Sequence, residues 1–286
     1  MRITEPQTGE LTYTDLMEGW RKVGVRDGMS VIVHSSLSSI GRVDGGAATV
    51  VDSLRAALGP AGTLLAPTFT WQVADPDPDH VGIPDAAVIE RRAAVPVFHP
   101  DLPSTGMGAV PELLRSLPGS VRSSHPQASV TAIGVRAVDV VRRQTLGFAV
   151  GRASPFGRLH DLGGHVLLVG VGHDRNTFLH HAETLTPRPR LKVRRFPREL
   201  EGERVWVEAL DVGNDNGRYF PTIGREFEEQ AGIVEVLVGD APCRLIPVRE
   251  LVAFAVGRLT ELLDAERTTN SLRSMDARPR PGEDRP

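Results

Sequence analysis

The sequence predicts an α/β fold in which a central, mainly parallel or mixed sheet carries helices on both faces. Two segments carry this expectation. Across 31–66 a strand, a helix and a second strand follow in order, and such a unit implies parallel strands joined by a right-handed crossover. Across 166–183 an apolar strand runs through a glycine turn into a helix, the arrangement by which open α/β sheets present side chains at strand ends. The length of 286 residues fits one large domain or two small ones, and 40% apolar with 24% charged residues is ordinary for a globular chain.

The elements can be justified in order. Leu11 to Gly24 reads as a helix capped by Thr12 or Thr14. Val31-Ile32-Val33 is a strand running into His34-Ser35-Ser36. Asp44-Gly45-Gly46 precedes a helix in which Val50, Val51, Leu54, Ala57 and Leu58 recur at helical spacing, with Gly59 as the stop. Thr63 to Ala66 is the next strand, closed by Pro67. Residues 70–107 show no long element and are rich in Pro and Asp, and long loops in compact domains tend to be functional or disordered. A helix over Gly108 to Leu117, a strand near Val130 to Ile133 and a short helix begun by Ser154-Pro155 follow. Val166 to Val169 is a buried strand, and Asp174 can cap the helix after it. Beyond it come strands at Lys192–Phe196 and Val205–Asp211, a helix near Ile223–Gln230 and strands at Val234–Val238 and Cys243–Ile246. A last helix runs from Val248 to about Leu263. One domain over 1–265 is expected, with 266–286 as a disordered polar tail.

Several function classes drop out. A net charge of −3 argues for neither nucleic acid nor a membrane surface as partner, and no apolar run approaches a membrane span. The single Cys243 excludes an internal disulfide framework and fits a reducing cytoplasm, and the first residues lack the apolar stretch of a signal peptide. The serine-hydrolase elbow, the Walker A loop, a full dinucleotide-binding glycine pattern and the zincin pattern are all absent, and no metal is expected.

What remains is concentrated in VLLVGVGHDRNTFLHHAE. Asn176, His180 and Glu183 fall at i, i+4 and i+7 of a helix, placing an amide, an imidazole and a carboxylate on one face. Such a pair can move a proton; equally, a helical histidine can be a satisfied core or surface residue.

Five segments in this order resemble the aminoglycoside 3-N-acetyltransferase family. They are VIVHSSLSSIGRVDGG (31–46), ALGPAGTLLAPTFTW (57–71), HPDLPSTGMGAVPELLRSLPGSVRSSHPQAS (99–129), ASPFGRLHDLGGHVLLVGVGHDRNTFLHHAE (153–183) and CRLIPVRELVAFAVGRL (243–259). GHDRNTFLHHAE and Asn214-Asp215-Asn216 look closest to the branch that accepts apramycin. The resemblance implies a fold unlike that of the GCN5-related acetyltransferases and a cytoplasmic acyltransferase active in antibiotic resistance. It implies acetyl-CoA as cosubstrate and the 3-amino group of a 2-deoxystreptamine ring as acceptor.

It also implies roles. His180 would be the general base that deprotonates the acceptor ammonium, with Glu183 or Asp215 as its partner. His34, Ser35, Ser36 and Leu37 would line the pantetheine arm, with serine donors at the thioester oxygen. Ser104 is a further candidate for cofactor contact, and Arg122 for a CoA phosphate. Asp75 and Asp77, with Asp79, Glu183 and Asp215, would compensate the acceptor's ammonium groups. Three alternatives stay open: transfer to another amine, sequestration of a cationic ligand without catalysis, and a metal-dependent hydrolase. A homodimer is the oligomer considered.

Overall fold

The structure, a computed structural model, describes residues 9–215 and 217–276. Helix α1 (Tyr13–Val23) begins on a capping box: Thr12 accepts from the Asp15 N–H while Asp15 accepts from the Thr12 N–H, so Thr12 is the cap. It ends at Gly24, whose φ of 113° only glycine adopts readily. Strand β1 (Ser30–Ser35), the single turn α2 (Leu37–Ile40), α3 (Ala47–Leu58) and β2 (Thr63–Pro67) form the expected β-α-β unit, with β1 and β2 parallel from Ser30↔Thr63.

The Pro- and Asp-rich loop holds a helix missing from the sequence reading, α4 (Ala86–Ala93), capped by Asp85. Its only buried side chains are Val88 and Arg92, so it lacks the apolar stripe that announces a helix. There follow α5 (Ala109–Ser116), β3 (Val121–Arg122), β4 (Val130–Gly134), α6 (Ala137–Val141), α7 (Pro155–Leu162), β5 (His165–Val169) and α8 (Thr177–Thr184). Strands β6 (Leu191–Leu200) and β7 (Glu203–Val212) form a separate hairpin. Its turn, Glu201-Gly202, has φ values of 54° and 82°, the doubly positive pair of a tight hairpin turn. The chain continues through α9 (Phe220–Ala231), β8 (Val236–Val238), β9 (Ala241–Pro247) and α10 (Val248–Asp276). The last helix therefore runs well past 265, through the first part of the segment expected to be a tail; 277–286 lie outside the described residues.

The main sheet has seven strands in the order β3-β4-β2-β1-β5-β9-β8. Its centre is parallel, β1 pairing with both β2 and β5, and its flanks are antiparallel, so the sheet is mixed. Two cores cover its faces. Ile32, Leu65, Val166 and Leu168 point to the side packed by α7, α8, α9 and α10. Val31, Val33, Leu64, Leu167 and Val169 point to the side packed by α1, α3 and α5. The alternation follows from the two-residue period of a strand. No helix among the described residues is long and apolar enough to cross a membrane.

Candidate active site

Parallel neighbours end on the same side, so β1 delivers Ser35 and β5 delivers Val169 to one sheet edge, paired across the ladder. A cavity of about 1120 Å³ opens there. Its wall includes His34 to Ser38 from the end of β1, Gly106 to Ala109 before and at the start of α5, Asn176, Thr177 and His180 around the start of α8, Asp211 and Val212 at the end of β7, and Asn214 and Asp215 after it. The position agrees with the rule that open α/β sheets bind ligands beyond the carboxyl ends of their parallel strands.

His180 is held in a specific way. Asn176 caps α8 by accepting from the Phe178 N–H, a role the sequence had offered to Asp174. The imidazole meets the Phe220 ring edge-on, centroids 4.6 Å apart. Its Nδ1 is buried, has no hydrogen-bond partner, and lies 3.9 Å from Glu183 Oε2. That separation is an ion-pair distance rather than a hydrogen bond. Glu183 lies beneath the ring, off the cavity wall and fully buried. Arg190 clasps it with Nε and Nη2 at 2.7 and 2.9 Å. Burial pushes the Glu183 carboxyl up, but the contacts from His180 and Arg190 outweigh it and hold the group below its ordinary value. Asp215 lines the cavity but is saturated: one oxygen accepts from Arg190 at 3.0 Å and the other from the Tyr219 and Phe220 N–H groups. Asn216, the next residue of that turn, lies outside the described residues.

The neighbouring His181 points away into the core. Its Nδ1–H donates to the Val150 carbonyl at 2.7 Å, leaving Nε2 to accept from His160 Nδ1 at 3.2 Å. Burial pulls its pKa down to about 4, so it is a neutral packing group.

At the end of β1 the pattern is one of unused polar atoms. His34 Nε2 and Ser35 Oγ are buried without partners, and both residues line the cavity. His34 shares the Ile32 face of the sheet, hence the side of α8, while Ser35 faces α5. Burial lowers the His34 pKa to about 4, so the imidazole is neutral. Ser36 is more committed: its N–H donates to the Val169 carbonyl and its Oγ accepts from Ser39 at 2.8 Å. Leu37 completes this wall.

Asp75, Asp77, Asp79, Ser104 and Arg122, like Glu183, lie off the cavity wall. Asp75 is buried in a two-pronged pair with Arg92, at 3.0 and 2.7 Å. Asp77 is held on the surface by Arg91. Both carboxylates fasten α4 to its own loop. Ser104 donates its hydroxyl to Glu112 at 2.7 Å. Arg122 donates to the carbonyls of Thr68, Pro100 and Leu102 and to Ser129, so its guanidinium is consumed by the chain rather than offered to a phosphate. Burial lowers its pKa to about 10, which still leaves it charged.

The structure adds wall residues that the sequence reading passed over, chiefly His125, Arg194 and Asp211. His125 is locked by two backbone N–H donors on Nδ1 and by the Leu146 carbonyl on Nε2. Burial lowers it to about 4. Asp211 is raised by its burial against the opposing pull of Arg194. The hairpin register was the missing signal: Lys192↔Asp211 and Arg194↔Ala209 make Arg194 and Asp211 diagonal neighbours on one ribbon face. Among the described residues no group of three or more His, Cys, Asp or Glu is placed to hold a metal ion.

Comparison with known proteins gives one consistent result. The sequence model of a family described as aminoglycoside 3-N-acetyltransferase matches residues 32–260. The SPbeta prophage-derived aminoglycoside N(3')-acetyltransferase-like protein YokD of Bacillus subtilis (strain 168) is 34% identical over 89% of this chain and 94% of its own length. Aminoglycoside N(3)-acetyltransferase VII of Streptomyces paromomycinus is 34% identical over 93% of this chain and 98% of its own. The crystal structure of YokD superposes with a TM-score of 0.82, covering 88% of this chain and 94% of that one. A binary complex of AAC-IIIb with CoASH, 31% identical, superposes at 0.80 over 88% and 97% of the two chains. AAC-VIa bound to sisomicin, 32% identical, superposes at 0.79 over 88% and 98%.

Proposed function

The chain belongs to the aminoglycoside 3-N-acetyltransferase family, and from that premise we propose how its own residues carry the reaction. The enzyme transfers the acetyl group of acetyl-CoA to the 3-amino group of an aminoglycoside's 2-deoxystreptamine ring. A thioester is already activated, so the obstacle is the acceptor, an ammonium that cannot attack until it loses a proton. His180 is the base. Its buried Nδ1 faces Glu183, which favours the tautomer with the proton on Nδ1 and leaves Nε2 to accept the acceptor's proton. As the ring becomes positive, the carboxylate below stabilises it, and the 3.9 Å gap closes toward a hydrogen bond. Arg190 keeps Glu183 ionised and oriented, so it and Asp215 act through Glu183 rather than on substrate.

The free amine then attacks the thioester carbon. Negative charge gathers on the carbonyl oxygen, the carbon–sulfur bond breaks as the attacking nitrogen gives up its second proton, and the departing thiolate takes up a proton, so that CoA leaves as the thiol. Ser35 Oγ, buried in the cavity wall without a partner, is the donor for that oxygen. The Ser36 N–H is spent on the β5 carbonyl and drops out of this role. His34, a neutral imidazole, supports the pantetheine arm together with Leu37.

The observation that carries the reading is the coincidence in one cavity of His180 over a buried, arginine-held carboxylate and of two unpartnered polar atoms at the end of β1. The activity is assigned to one domain within residues 1–265, working in the cytoplasm where acetyl-CoA is supplied. The test is release of free thiol from acetyl-CoA with a panel of aminoglycosides that includes apramycin, followed by mass and NMR assignment of the acetylated nitrogen. Acetylation at the 3-amino group is expected; thiol release with none of the panel would remove the reading.

A further inference from the structure

Every carboxylate on the cavity wall already has an arginine. Asp174 pairs with Arg175 at 3.2 Å, Asp211 with Arg194 at 3.2 Å, and Asp215 with Arg190 at 3.0 Å. A polycationic acceptor therefore enters a site whose carboxylates are already partnered by arginines.

The three pairs differ in how easily they open. Asp215 is fixed on both oxygens by Arg190 and two backbone N–H groups. Asp174 and Arg175 are chain neighbours on the outer rim, and both side chains are largely exposed. Asp211 is different. Its Oδ1 accepts from the Val212 N–H at 2.9 Å, while Oδ2 meets only the Nε of Arg194, at 3.2 Å. The other prong of that guanidinium goes to Asn214 Oδ1, also at 3.2 Å. This is much looser than the forks elsewhere in the molecule, such as Arg190 on Glu183 at 2.7 and 2.9 Å. Asp211 and Arg194 both line the cavity, where the Asp211 side chain is 7% exposed.

The geometry points to Arg194 as a specificity-determining residue, a built-in counter-ion that occupies the Asp211 subsite until an acceptor ammonium displaces it. The inference rests on the acetyl-transfer reading for the identity of the acceptor. A buried carboxylate without a partner is costly, so the free enzyme supplies its own cation from β6. The loose, split contact lets that cation be exchanged. If Arg194 fills the subsite in about nine molecules of ten, its removal tightens acceptor binding on the order of tenfold, because affinity scales with the competent fraction.

The experiment is equilibrium titration of sisomicin into the full chain by calorimetry, with no acetyl-CoA present, alongside a separate CoASH titration. Arg194→Gln should lower the sisomicin Kd by about tenfold and leave the CoASH Kd within about twofold. Arg194→Lys, which keeps the competing charge, should stay near wild type and serves as the variant that preserves the ribbon. Asp211→Asn should weaken sisomicin, and adding Arg194→Gln to it should bring no further gain. The inference is overturned if Arg194→Gln weakens sisomicin, if it tightens both ligands alike, if the gain persists with Asp211→Asn, or if sisomicin binds neither protein. Failure of the catalytic reading would show separately, as wild-type enzyme that binds sisomicin but releases no thiol.

Discussion

The end of β1 and the loop between β2 and α5 are both rich in polar side chains, and the structure uses them in opposite ways. In the loop, Asp75 meets Arg92 in a buried fork and Asp77 meets Arg91, while Arg122 of β3 reaches back to bind the loop carbonyls of Thr68, Pro100 and Leu102 and the Ser129 hydroxyl. At the end of β1, His34 Nε2 and Ser35 Oγ are buried and bind nothing. A buried polar atom without a partner costs roughly 1–3 kcal/mol, so a folded chain rarely leaves one idle. The two regions teach a distinction that residue type alone conceals. Saturated groups hold the scaffold, and the proposed ligand contacts are the unsaturated groups that also line the cavity; His80 Nε2, unpartnered in the loop, does not line it.

The contrast can be broken first on the saturated side. Arg92→Ala leaves the buried Asp75 with only the Asp77 N–H and the 3.8 Å ion pair of Arg195, and should lose about 3 kcal/mol in urea unfolding. Acceptor KM should hold in the fraction that remains folded. A stable variant with a raised acceptor KM would return Asp75 to the substrate site. On the unsaturated side, Ser35→Ala should act the other way round. It removes an idle buried hydroxyl, so the urea midpoint should hold or rise, while kcat falls roughly 10²-fold if the hydroxyl meets the developing oxyanion. An unaltered kcat would move that role to another donor.

The buried neutral histidines sharpen the comparison through pH. His181 has its pKa pulled below the unfolded value to about 4. Its contribution is fully present above the unfolded pKa and is lost as pH falls through about 4, because the unfolded chain then binds the extra proton. Stability should therefore drop with acidity between about pH 6.5 and 4, and His181→Gln should reduce that slope by up to about 1.4 kcal/mol per pH unit. An unaltered slope would mean that His181 takes up its proton while folded. The smallest effect belongs to Asp77→Asn. Its ion pair with Arg91 is solvated, so the urea midpoint and both KM values should be indistinguishable from wild type.

Much of the scaffold was legible in the sequence because it rests on local signals. The cap at Thr12 or Thr14, which the structure resolves to Thr12, the apolar period of α3, the glycine stop at Gly59 and the alternation of the hairpin strands each follow from neighbouring residues. The existence of α4 and the length of α10 were not, since α4 buries one apolar side chain and α10 continues through a polar stretch past its packed turns. For the site, the HSSL segment and His180 stand out in the sequence because they follow strand ends, and the fold brings both to the cavity wall. Asp75 and Asp77 lie off that wall in ion pairs the sequence does not announce, because ion pairing is a property of three dimensions. Nothing in the sequence spacing shows Arg91 and Arg92 turning back onto them, or Arg194 meeting Asp211 diagonally across a ribbon. His181 carries a related lesson. It neighbours the proposed base, yet its hydrogen bonds make it a core residue, so replacing it perturbs the fold and cannot serve as a neutral control.

The central claim is that His180, half in the cavity and half over a buried carboxylate, takes the acceptor's proton. Its most direct test is the steady-state kcat of His180→Ala, with the urea midpoint and acetyl-CoA KM measured on the same preparation. General-base catalysis contributes about 10²–10⁴-fold, so kcat should fall by at least about a hundredfold while the midpoint and the acetyl-CoA KM stay near wild type. A variant that keeps kcat within about tenfold of wild type would contradict the account. So would one that loses activity only because it unfolds.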